Sequence, residues 1–308
     1  MKSVAESPSK AIITGEHFVV HGSWALAAAV NRYVRVEVSD SRAYAVESVG
    51  FKGEKSALGP VSEVVESISR EYSVDPRVRI SIRSDVPEGS GLGSSASVMV
   101  AVAAAFAKLR SIPLGKEELV RHSMTGEKSI HGRPSGIDPA ICARGGVILF
   151  RPGSKARAVS PAKGMSLIVS ISGERRKTSH QISRVGSTRE SLPGYFDSVA
   201  SAVSDLTLRA ANDIHHGDFA DLGRLMTMNH AILSSLGVST DKLDSMVNEL
   251  LSLGALGAKL TGAGGGGCVV AVARRGKEKS IVSGLRARGY ETFSAPIPVG
   301  GVKAWLER

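Results

Sequence analysis

The chain has 308 residues, 42% apolar and 22% charged, with a formal net charge of +10 at pH 7. That composition excludes wholesale disorder, and the length fits about two domains of ~100 to 200 residues each. Its two cysteines, Cys142 and Cys268, lie far apart without CxxC or Cys/His spacing, which excludes a zinc site and a disulfide scaffold.

The positive charge would attract nucleic acid or a small polyanion such as ATP equally well. Basic residues are scattered, however, and aromatics make up only 5% of the chain, too few for a base-stacking surface. No apolar run approaches the ~20 residues of a membrane span. The opening MKSVAESPSKAII lacks the basic, apolar and small-residue regions of a secretory signal. The expectation is a cytoplasmic protein with no membrane and no nucleic-acid partner.

In chain order, AIITGEHFVV (11–20) and RYVRVEVS (32–39) read as strands separated by the small-residue stretch SWALAAAVN. A third strand is expected in RVRISIRSDV, where Val78, Ile80 and Ile82 alternate with Arg79, Ser81 and Arg83. The glycine-rich loop PEGSGLGSSAS (87–97) follows at once. After it, SSASVMVAVAAAFAKLR is apolar nearly all round and reads as a buried helix. A second helix, KEELVRHSMTGEKSIHG, carries Leu119, Ser123, Gly126 and Ile130 at helical spacing and stops at Gly132 and Pro134.

GGVILFRPG leads to the turn PAKG, a domain boundary that divides the chain into 1–160 and 161–308. MSLIVSISG then opens a second strand-first half. Helical patterns run through 194–216, 218–236 and 239–253, the last capped by Ser239 or Thr240. The strand GCVVAVA, the helix EKSIVSGLRARG and a strand near YETFSAP complete an α+β pattern.

The loop at 87–97 carries the chemistry. Gly89, Gly91 and Gly93 can turn several N–H groups toward one anion. A P-loop would need GxxxxGK[ST], but Gly93 is followed by Ser94; a dinucleotide loop would need an acidic residue about 20 positions on, and none is there. What remains is a ring of donors, a helix N-terminus and two hydroxyls, which suits a triphosphate with Mg²⁺.

PEGSGLGSSAS resembles the phosphate-binding motif of the GHMP kinase superfamily. SPSKAIITGEHFVVHG (7–22) and KLTGAGGGGCVVAV (259–272) resemble that family's N-terminal and C-terminal motifs, in the same order. Within the superfamily the resemblance is closest to the mevalonate kinases, through GEHFVVHG, GEKSIHGRPSGIDPA and MNHAILSSLGVS. The resemblance implies a two-domain fold, with an N-terminal domain of ribosomal-protein-S5 domain 2 type and a ferredoxin-like C-terminal domain. It implies ATP as co-substrate, Mg²⁺ as cofactor, and transfer of the γ-phosphate to the 5-hydroxyl of (R)-mevalonate. A homodimer follows only by analogy with relatives.

Roles carried over from the family fall on matching residues. Pro87, Gly89, Ser90, Gly91, Leu92, Gly93, Ser94, Ser95 and Ala96 would hold the phosphates. Asp138 matches the catalytic base, against the plain alternative of a turn residue before Pro139, and Lys10 matches the cation near the reacting hydroxyl. Ser9 stands before Lys10 where relatives commonly carry glycine. Ser95 and Glu127 match the metal ligands. Glu16, His17 and His21 would line the substrate pocket, and Thr178 would open a helix beside it or simply cap that helix. Arg175, Arg176 and Lys177 could attract the substrate carboxylate. The glycines of TGAGGGGC would let the second domain pack on the phosphate loop. Two rival readings stand beside this one: phosphomevalonate kinase within the superfamily, and a nucleic-acid-binding module outside it.

Overall fold

Strand β1 (Lys2–Thr14) is buried on both faces almost throughout, in a computed structural model that describes residues 1–49, 58–87, 89–174, 178–297 and 299–307. It pairs antiparallel with β2 (Ala25–Asp40), and the register shifts between Pro8 and Ser9. Proline has no N–H to give a ladder, so it sits where the pairing breaks. Two expectations change here. The first strand begins nine residues earlier than the apolar run suggested and ends at Thr14, and the alanine-rich stretch is itself strand. Ala25 to Val30 are wholly covered on both faces, so the polar alternation that marks a half-exposed strand is missing.

The first sheet runs β11–β1–β2–β4–β3, with β5 (Val147–Phe150) on β2 and β6 (Arg157–Val159) on β5. Strand β3 (Ala45–Val49) lies parallel to β4 (Val78–Ser84), joined by the crossover helix α1 (Leu58–Tyr72). Along β4 the expected alternation holds: Val78, Ile80 and Ile82 are buried, while Arg79 and Arg83 are exposed. Helix α2 (Ser94–Leu109) lies between the sheet and helices α1 and α3 (Lys116–His131). Thirteen of its sixteen residues are buried, as an all-round apolar pattern requires. On α3, Leu119, Ser123 and Gly126 face inward, but Ile130 is 42% exposed.

The second sheet contains β7 (Ser166–Ile171), β8 (Ala255–Thr261), β9 (Cys268–Ala273) and β10 (Glu291–Pro296), all antiparallel in the order β10–β7–β9–β8. Counted along the chain this is fourth–first–third–second, the ferredoxin-like order. Helices α5 (Thr178–Ser191), α6 (Pro193–His216), α7 (Phe219–Ser235) and α8 (Asp241–Ser252) fill the first crossover, and α9 (Glu278–Ala287) the second. Thr240 caps α8, accepting from the Leu243 N–H.

The last strand, β11 (Lys303–Glu307), returns to the first sheet and pairs with β1 from Lys2 to Glu6. A division at 160/161 therefore leaves β11 across the boundary from its partner. One hydrophobic cluster runs through both halves, from Ala5, Leu26 and Phe106 to Leu167, Met226 and Val270.

Candidate active site

Beyond Glu6 the edge of β1 is free of β11, and the glycine loop takes it: the Lys10 N–H donates to the Leu92 carbonyl at 2.8 Å. Gly89, Gly91 and Gly93 have φ of 70°, 79° and 77°, in the left-handed region that glycine enters without strain. Gly93 has a second constraint. A Cβ there would stand 2.7 Å from Cε of Lys10, so the lysine stem lies directly over the loop. Gly93 also caps α2, whose first-turn N–H groups have no helical partners and attract negative charge.

The Lys10 side chain is only 3% exposed, and its ammonium lies 3.2 Å from Oδ2 of Asp138. Asp138 belongs not to an open turn but to the first turn of helix α4 (Ile137–Arg144), started by Gly136 at φ 90°. Pro139 is compatible with that position because a first-turn N–H bonds to no carbonyl within the helix. Ile137 and Ile141 pack inward beneath it and fix the turn.

Glu127, in the last turns of α3, is 2% exposed, and its Oε1 has no hydrogen-bond partner among the described residues. Burial, and then the nearby Asp138 charge, push its carboxyl up to about 7, with Ser95 and Lys10 opposing. The two carboxylates are thus close enough to repel. His131 Nε2 stands 3.4 Å from Ser95 Oγ and 3.9 Å from Glu127 Oε2, tying the start of α2 to the end of α3. Ser95 and Glu127 are the pair that fits a hard cation: one hydroxyl and one carboxylate with a buried oxygen left over. Among the described residues no cluster of three His, Cys, Asp or Glu could hold a metal, so a cation here would complete its shell with water or phosphate oxygens.

Glu16, His17 and His21 lie in or after the turn that ends β1, but in three different settings. Glu16 is 1% exposed and forms a buried ion pair with Lys259 of β8. His17 has φ 63°, and its Nε2 lies 2.9 Å from the Ala263 carbonyl. His21 is exposed, edge-on to Phe196 of α6 with ring centroids 5.1 Å apart, and belongs to the α6 contact more than to the corner around Asp138. Thr178 opens α5, whose Gln181 lies against Gly265. Arg175, Arg176 and Lys177 fall outside the described residues.

The second half meets the phosphate loop through the C-terminal glycines. A Cβ on Gly267 would lie 2.9 Å from the Ser90 carbonyl oxygen, so backbone meets backbone at this point. Two residues that sequence reasoning passed over hold the turn after β1. Lys259 heads the motif read only for its glycines, and Asn229 of α7 accepts the Gly15 N–H at 3.0 Å. Grooves of about 520 Å³ against α8 and about 660 Å³ between β3 and α1 involve none of these residues. The constellation around Lys10 is marked by its polar convergence.

The sequence matches the family model for the N-terminal domain of GHMP kinases over residues 60–146 and that for the GHMP kinase C-terminal region over 210–291. It is 36% identical to a mevalonate kinase of Aeropyrum pernix over 97% of both chains. The fold superposes on a crystal structure of L. major mevalonate kinase in complex with R-mevalonate with a TM-score of 0.82, at 28% identity over 96% of each chain. A Streptococcus pneumoniae phosphomevalonate kinase reaches the same TM-score of 0.82 at only 17% identity, covering 96% of this chain and 99% of that one, so the likeness there is of fold alone. With both family models matched in order, and a full-length relative at this identity, the chain belongs to the GHMP kinases.

Proposed function

We propose that this chain is an ATP-dependent mevalonate kinase, which transfers the γ-phosphoryl group of ATP to the 5-hydroxyl of (R)-mevalonate and yields 5-phosphomevalonate and ADP. The observation that carries the chemistry is the Lys10–Asp138 pair, 3.2 Å apart beside a glycine loop with three left-handed residues. The substrate rests on full-length similarity to mevalonate kinases at 36% identity, a level that the phosphomevalonate kinase likeness does not approach.

In this reading the N–H groups of residues 89–96 and the positive end of α2 hold the phosphates, with Pro87 shaping the entry to the loop. Asp138 accepts the proton of the acceptor hydroxyl as the oxygen attacks phosphorus. Lys10 lies against the same carboxylate, where its charge steadies the alkoxide and the transferring group. Ser95 and Glu127 would hold Mg²⁺, which when bound offsets phosphate charge. Glu16 and His17 contact the acceptor substrate, and Thr178 lies at its edge. The unit built on the first sheet comprises 1–160 together with β11, and the remainder of 161–308 closes over it. ATP and mevalonate, met in the cytoplasm, are the only partners the chemistry needs.

A coupled assay of ADP release tests the assignment with mevalonate, phosphomevalonate, homoserine and galactose as acceptors. Turnover with mevalonate, and at most about 1% of that rate with the others, is the expected outcome. Turnover confined to another acceptor overturns the substrate while leaving the family intact.

A further inference from the structure

Glu16 and Lys259 make an ion pair that neither sheet could make alone. Glu16 follows β1, Lys259 lies within β8, and the two side chains are 1% and 0% exposed. The Lys259 ammonium donates to Glu16 Oε1 and to the Leu260 carbonyl, whereas Glu16 Oε2 has no partner among the described residues. The end of β1 and the turn after it are gripped at three further points by the second half. Thr261 Oγ1 accepts the Ile12 N–H at 2.8 Å, Asn229 Oδ1 accepts the Gly15 N–H, and the His17 ring meets the Ala263 carbonyl. His17 holds a left-handed conformation that few non-glycine residues adopt, and such a conformation persists where neighbouring contacts over-determine it.

A buried ion pair is a poor stabiliser, because taking both charges out of water costs about as much as their attraction returns. Its value lies in what it fixes. We propose that Lys259 is a positioning residue for the acceptor substrate: it holds Glu16 Oε1 and thereby presents Oε2, left without a partner among the described residues, to a substrate hydroxyl. This rests on the reading of Glu16 as a substrate contact.

Burial drives the Glu16 carboxyl up and the Lys259 ammonium down, and each charge opposes the shift of the other. The other charged or titratable groups facing the pair are Lys10 from β1 and His230 from α7, beside His17 of the turn itself. His230 Nε2 lies 3.1 Å from Asp244 Oδ1 of α8. Without Lys259, the opposing influences left are a backbone hydrogen bond and the Lys10 charge, and burial raises the Glu16 carboxyl further.

The test is a kinetic cycle of Lys259→Met, Glu16→Gln and the double variant, in the full chain. At about pH 7 Lys259→Met is expected to raise the KM for mevalonate about 10- to 100-fold, with kcat and the KM for ATP within about threefold. As pH rises, that KM falls back toward the wild-type value. In the Glu16→Gln background, Lys259→Met adds nothing further. The proposal is overturned if Lys259→Met leaves the mevalonate KM within about twofold, or raises it equally at every pH, or adds its full effect to Glu16→Gln. Should Lys259→Met not fold, the double variant is compared with Glu16→Gln, and a mevalonate KM more than about twofold above that of Glu16→Gln overturns the proposal. If Glu16→Gln itself leaves the mevalonate KM unchanged, it is the substrate-contact reading that fails, and that outcome is distinct from the others.

Discussion

Two lysine–carboxylate pairs lie at the ends of one short segment, and they are built differently. Lys10 is covered, but its partner Asp138 keeps 29% of its side chain exposed; Lys259 and Glu16 are both sealed. An open carboxylate can exchange a proton with a reacting group. One sealed from bulk water is held in place, and meets only a ligand that fits against it. The same ion-pair chemistry therefore serves turnover at the first pair and geometry at the second, with solvent access as the variable that separates them.

The sharpest way to break this comparison is Asp138→Asn, which keeps shape and removes the proton acceptor. Its kcat is expected to fall by about 10²- to 10⁴-fold while nucleotide binding, followed by titration, stays within a few-fold. A loss of less than about tenfold would remove the distinction between the pairs. Next in size is Glu127→Gln at the same corner. The Mg²⁺ concentration for half-maximal rate is expected to rise about 10-fold or more, with much of the rate recovered at saturating metal. An unchanged Mg²⁺ dependence would dissociate Glu127 from the cation.

The smallest effect is expected from a carboxylate remote from both pairs. Asp213 on α6 is 6% exposed, and burial, with Asp221 and Asp218 beside it, raises its carboxyl to about 6. The folded state thus retains a proton that the unfolded chain releases near ~3.9, so stability present below about pH 4 is lost as pH rises toward 6. Asp213→Asn removes that loss. Thermal melts should show a gain on the order of 2 to 3 kcal/mol at pH 7, little change at pH 4, and kinetic constants that do not move. A gain of the same size at both pH values would contradict the assigned cause.

Much of this architecture is legible from residues alone. The alternation along β4 and the apolar helix α2 follow from burial on one face or on every face, and the end of α3 from Gly132 and Pro134. The reading fails where both faces are buried and side chains are small, as at Ala25 to Val30, because period-two alternation needs a wet side. Helix α1, which follows residues outside the described set, and strand β11 escaped notice as well. The corner of the site was reached through family motifs: nothing in local pattern brings Lys10 to Asp138, since a β1 lysine and an α4 aspartate meet only through the tertiary fold. Lys259 was missed for a general reason. Lysine belongs on the surface by default, and only its buried partner, contributed by the other sheet, shows that this one does not.

The return of β11 to β1 also shapes how the protein is made. While the ribosome is still adding residues 166–297, the first sheet has β1 as an unpaired border, from Lys2 to Glu6, open to any passing strand. The nascent polypeptide therefore carries an open strand edge until β11 emerges to cover it.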